Sequence, residues 1–139
     1  MLDSGHDSSP AERFARRYAR PQSEAELNVE LEVFGAYIGT DGYTTVPEAD
    51  ALMERLELRR GARLLELGSG RGWPGVYVTS RSGCQVVLTD VPVAAPAESL
   101  SNARRGGIGD RSAAAAADGS ALPFHPNVFD AVVHSDVFC

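Results

Sequence analysis

Three glycines at alternate positions, Gly68, Gly70 and Gly72, sit at the junction of two unlike segments. Before them, Arg63-Leu64-Leu65-Glu66-Leu67 is short, apolar and closed at once by glycine, which reads as a buried strand. After them, Pro74 suits the first turn of a helix, where its missing N–H would lack a partner anyway. A backbone turning that sharply from strand to helix needs positive φ, which glycine adopts without steric cost. Gln85-Val86-Val87-Leu88-Thr89-Asp90 then supplies a second strand, and the gap suits a right-handed crossover between parallel strands. The crossover helix over 74–82 rests on this topology, because Val76-Tyr77-Val78-Thr79 is poor helix material by propensity.

The segments around this unit extend an α/β pattern. Residues 1–8 read as a disordered lead, and Ser9-Pro10-Ala11-Glu12 as a capping box with proline at the first helical position. Ala11, Phe14, Ala15 and Tyr18 form a short apolar stripe that Pro21 stops. Ser23-Glu24-Ala25-Glu26 repeats the capping box, and Leu27, Leu31, Phe34 and Ile38 predict a second amphipathic helix to about Tyr37. A turn follows at 39–43. Pro47 opens a third helix with Ala49, Leu52, Met53 and Leu56 on one side, ending near Arg59-Arg60-Gly61. Beyond the second strand, a helix is expected over 96–105, a weak strand over 112–117 and a stronger one over 128–137. The reading is a helical cap over 1–60 and a Rossmann-like parallel α/β core over 61–139.

Composition narrows the function classes. The net charge of −6 argues against a nucleic-acid partner, which wants a basic face. No apolar run reaches the roughly 18 residues of a membrane span, and the polar start is not a secretory signal. Cys84 and Cys139 make neither a metal cluster nor a disulfide framework, so a cytoplasmic protein without metal is expected.

The loop itself suggests an anion or nucleotide. A helix start offers free N–H groups and partial positive charge, and glycines permit close approach. Glu66 lies inside an apolar strand, where an unpaired carboxylate is costly. Asp90 closes the second strand about 20 residues past the glycines, where an acid can accept both ribose hydroxyls. Two spellings stay open, because Gly70-Arg71-Gly72-Trp73-Pro74-Gly75 also satisfies the dinucleotide pattern of an NAD-type site. Trp73 suits either the ligand or the core, and His134 and Asp136 either a general base or plain strand-end residues.

Leu64 to Gly72, an acid followed by G-x-G-x-G, resembles motif I of the class I S-adenosylmethionine-dependent methyltransferases. Val87-Leu88-Thr89-Asp90, Asp118-Gly119-Ser120-Ala121-Leu122-Pro123-Phe124 and Phe129-Asp130-Ala131-Val132-Val133 resemble that family's later motifs, in order. The resemblance implies that Glu66 and the Gly68, Ser69, Gly70 and Gly72 backbone run along the cofactor's methionine part, with Glu66 on its ammonium. It implies Asp90 on the ribose, Val91 on the adenine, Asp118 on the adenine amino group with Gly119 and Ser120 beside it, and His134 and Ser135 near the sulfonium. A loop through Tyr37, Gly42 and Tyr43 would close over the cofactor. The cofactor implied is S-adenosylmethionine, with S-adenosylhomocysteine as product and a small molecule as methyl acceptor. The family's sheet has seven strands in the order 3-2-1-4-5-7-6, so a chain ending after the fourth is expected to be truncated. The alternatives are a module completed by a partner chain or second copy at the strand-four edge, and a reduced domain whose helical cap covers that edge. A binding module without activity is the other functional reading.

Overall fold

A computed structural model describes residues 9–135 and 137; the lead over 1–8 and Asp136 lie outside them. Three helices come first: α1 (Pro10–Ala19), α2 (Glu24–Phe34) and α3 (Val46–Arg55). Each starts on a complete capping box, Ser9 with Glu12, Ser23 with Glu26 and Thr45 with Glu48. The Thr45 box escaped the sequence reading, which opened α3 at Pro47.

Two helices are shorter than their patterns predict, for local backbone reasons. Gly35, at φ 68°, ends α2 in the left-handed region before the periodicity runs out. Helix α3 stops at Arg55, and Glu57 takes φ 51° two residues on, well before the expected stop at Gly61. The apolar stripe expected on α2 is also corrected: Leu31 is 43% exposed, whereas Glu30 is buried.

The alternating half follows the predicted order: β1 (Arg63–Leu67), α4 (Gly75–Ser82), β2 (Gln85–Asp90), α5 (Ala94–Arg105), β3 (Ser112–Ala116) and β4 (Ala131–His134). Among the described residues these strands form one parallel sheet in the order β3-β2-β1-β4. Strand β1 is central, with Leu65 opposite both Val87 and Val132. Leu64, Leu65 and Glu66 are all buried because both faces of β1 are covered. Strand β4 is shorter than expected. Asp130, just before it, already grips β1 by donating its N–H to Arg63 O (2.8 Å) and accepting from Arg63 N (2.8 Å).

Ile38 and Ala49 share one apolar core with Leu64, Val76, Leu88 and Val133. The segment before Gly61 therefore shares the core of the alternating half, with α1 packed against α5 and α3 against α4. No described helix is long and apolar enough to cross a membrane.

Candidate functional site

The glycine loop lies at the carboxyl end of β1, where ligands of open parallel sheets bind. Gly68 and Gly70 take φ 66° and 50°, conformations that L side chains rarely adopt. The loop is fastened from β2 as well as β1. Ser69 donates its N–H to Thr89 O (2.9 Å), and Gly70 donates to Asp90 Oδ2 (2.8 Å). Asp90 Oδ1 accepts from Val91 N (2.8 Å). Burial raises the Asp90 pKa, and these two N–H groups oppose the rise. Each carboxylate oxygen keeps capacity for a further donor, which suits a diol.

Two cavities meet at Gly68. The first, about 460 Å³, is lined by Thr89, Asp90, Val91, Asp118, Gly119 and Ser120, together with Leu67 and Val137. Asp118 is organised within it: Oδ1 accepts from Ser120 N (2.8 Å) and Ser120 Oγ (2.7 Å), which hold its pKa below the usual value. The second, about 350 Å³, lies between Gly68-Ser69-Gly70 and a wall made by Arg17, Tyr18, Asp41, Gly42 and Tyr43. Ser69 Oγ and Asp41 Oδ2, from residues lining this second cavity, are buried without a partner. Orphaned buried oxygens are costly unless a ligand or water serves them, so polar groups entering here would find acceptors waiting.

Several predicted residues are drawn together: Gly68, Ser69 and Gly70 on the loop, Asp90, Val91, Asp118, Gly119 and Ser120 on one side, Ser135 on the other. Ser135 pairs its hydroxyl with that of Thr44. Three are not. His134 is exposed and lines neither cavity, because the alternation along β4 that buries Val133 turns it outward. Gly72 packs behind the loop, where a Cβ would stand 2.6 Å from Val76 Cγ2. Glu66 is 0% exposed, and its carboxyl sits under the loop, accepting the Gly75 N–H at 3.2 and 3.1 Å. Burial pushes its pKa up to about 8, against the pull of that N–H and with a smaller push from the Asp90 charge. In this structure the Glu66 carboxyl fastens the start of α4 to β1.

The geometry also separates the two spellings of the loop. The dinucleotide spelling needs Gly72 against the ligand, and Gly72 instead faces Val76 and Ser99 in the interior. Gly68 and Gly70 face the cavities, as the acid-G-x-G-x-G spelling requires.

Three contributors were missed. Tyr18 caps the loop, its hydroxyl 3.0 Å from where a Gly70 Cβ would stand, and burial followed by the Asp90 and Asp41 charges pushes its pKa up to about 12. Arg17 pairs with Asp41 beside it. Of the expected closing loop, Gly42 and Tyr43 line the second cavity and Tyr37 does not. Trp73 is both core and wall: it is 5% exposed, donates Nε1–H to Thr44 O (2.8 Å) and borders the second cavity. Among the described residues no group of His, Cys, Asp and Glu is placed to hold a metal.

A family profile described as "Methyltransferase domain" matches residues 65–139. No curated protein matches the chain. Among solved structures, a methyltransferase from Geobacter sulfurreducens with S-adenosyl-L-homocysteine aligns over 79% of this chain and 42% of its own, at 19% identity and TM-score 0.60. One from Thiobacillus denitrificans, with the same ligand, aligns over 83% and 44% at 18% identity and TM-score 0.58. The [4+2]-cyclase SpnF is 29% identical over 70% of this chain and 38% of its own, at TM-score 0.58. The chain thus spans less than half the length of each.

Proposed function

This chain belongs to the class I S-adenosylmethionine-dependent methyltransferase family, and on that footing we propose that it binds S-adenosylmethionine and directs methyl transfer to a small-molecule acceptor. The observation that carries the proposal is the pair of cavities meeting at Gly68, with Asp90 and Asp118 in one and orphaned polar atoms in the other. Asp90 would take the ribose hydroxyls, Asp118 the adenine amino group and Val91 a face of the base. Ser69 and the loop backbone would run along the methionine part.

When bound, the cofactor supplies the chemistry as an electrophilic methyl on a sulfonium. The chain's residues bind and orient. The loop's shape is set by N–H bonds from Ser69 to Thr89 and from Gly70 to Asp90, so the cleft is formed in advance and little ordering is left for binding. Tyr18 and Trp73 wall the second cavity and would exclude water around the transferring group, while Tyr43 stands exposed at its edge. In-line displacement needs no compulsory general base.

A second reading is favoured by SpnF, a cyclase of similar fold: a cofactor-binding module whose scaffold does not transfer the methyl. Incubation with the donor and a panel of small nucleophiles separates the two. Methylated product supports the transferase. Tight donor binding with no product from any acceptor class, and none on addition of a partner chain, supports the module.

A further inference from the structure

The wall facing Gly68, Ser69 and Gly70 carries an opposed charge pair. Arg17, on the last turn of α1, donates through Nη2 to Asp41 Oδ1. The two side chains are unequally placed: 58% of Arg17 is exposed but only 12% of Asp41. Asp41 Oδ2 is buried with no partner. The register of this wall against the loop is fixed by the loop's own Arg71, whose Nη2 donates to Arg17 O (3.2 Å) and Arg20 O (2.9 Å). Tyr18, resting on Gly70, brings α1 down onto the same surface.

From this geometry we propose that Arg17 and Asp41 form the clamp for the α-amino-acid end of S-adenosylmethionine, Arg17 holding its carboxylate and Asp41 its ammonium. The inference rests on the methyl-donor reading of the cleft and assigns the cofactor's charged end to residues outside the glycine loop. An α-amino acid presents both charges on one carbon, so its complement is a cation and an anion side by side. Arg17 and Asp41 are such a pair, and each neutralises the other until a ligand divides them. Opening one exposed contact lets Arg17 swing onto a carboxylate as a planar fork, and it frees Asp41 for an ammonium while satisfying its orphaned oxygen. The neighbouring acids are placed elsewhere: Glu66 lies under the loop, and Asp90 lines the other cavity.

The test compares two ligands across two variants. S-adenosylhomocysteine carries the amino acid, and methylthioadenosine keeps the nucleoside thioether without it. In Arg17→Met and in Asp41→Asn, calorimetric affinity for S-adenosylhomocysteine is expected to fall about tenfold or more. Affinity for methylthioadenosine should stay within about twofold of the parent. Circular dichroism and Tm check the fold; Arg17→Met alters an exposed side chain and decides the matter if Asp41→Asn disturbs the turn. Unchanged S-adenosylhomocysteine binding in Arg17→Met overturns the clamp alone, as does an equal loss of both ligands. No S-adenosylhomocysteine binding by the unsubstituted folded chain overturns the methyl-donor reading itself, and the clamp with it.

Discussion

Replacing Glu66 by glutamine should abolish a distinct part of the chain's pH dependence. The Glu66 carboxyl is fully buried, and burial carries its pKa from the ordinary 4.5 to about 8 in the folded protein. Between those values the folded state holds a proton that the unfolded chain has released. Stability from this group is therefore complete below pH 4.5 and is lost as pH rises through about 8. The limiting slope is about 1.4 kcal/mol per pH unit. Integrated from pH 6 to 8, with rounding near the folded pKa, it gives about 2 kcal/mol. For a chain of this size that corresponds to about 7 °C in Tm. Glutamine copies the shape of the neutral acid and cannot ionise. It brings an extra N–H into a buried site, so Glu66→Gln is expected to be somewhat less stable at pH 6 while lacking this decline. Urea unfolding at pH 6, 7 and 8 on both proteins measures the difference of slopes, from which other titrating groups largely cancel. Parallel slopes would refute the reasoning, because they would mean that Glu66 ionises freely under the loop.

Two other substitutions test how the loop is held. Gly39 takes φ 66°, and a Cβ there would stand 2.1 Å from Arg71 O, so Gly39→Ala should cost more than about 3 kcal/mol in urea unfolding; a cost below about 1 kcal/mol contradicts this contact. Glu30 accepts from Gln22 Nε2 (2.8 Å), Ile38 N (3.0 Å), Gly39 N (3.1 Å), Thr40 N (2.7 Å) and Thr40 Oγ1 (2.7 Å). Glu30→Gln sets an N–H against these donors and should cost about 3 kcal/mol at neutral pH. Burial alone would raise the Glu30 pKa, but its hydrogen bonds outweigh that and lower it. Its stabilisation is thus present above the ordinary carboxylate pKa and lost as pH falls through the lower folded value. Acid titration of stability should show that loss in the parent and not in Glu30→Gln.

The parts legible in the sequence were those with local causes. Strands β1 and β2 were bounded correctly because an apolar run meets glycine at one and an acid followed by proline at the other. The starts of α1 and α2 followed from capping boxes, whose bonds span three residues. Asp90 was legible from its place at the end of the second strand, whereas Asp118 was legible only through the resemblance of its segment to the family's motif; both line the first cavity. Facing was harder. Glu66 and Gly72 lie in the motif, but nothing local says which side of the loop a buried residue meets. Glu30 sat among helix charges that resemble a solvated surface, and only the 38–40 segment folding back supplies its donors. Arg17, Tyr18 and Asp41 reach the cleft through docking of α1 and the 39–43 turn onto the loop. That contact joins residues far apart in the chain, and no spacing encodes it.

The central claim is that the cleft at Gly68 binds a methyl-donor cofactor. Its most direct test is calorimetric titration of the folded chain with S-adenosylhomocysteine, run beside Asp90→Ala and beside NAD. Saturable binding at one site is expected, with loss of that binding in a folded Asp90→Ala variant and no saturable heat with NAD. A chain folded by circular dichroism that gives no heat with S-adenosylhomocysteine, or that binds NAD in its place, contradicts it.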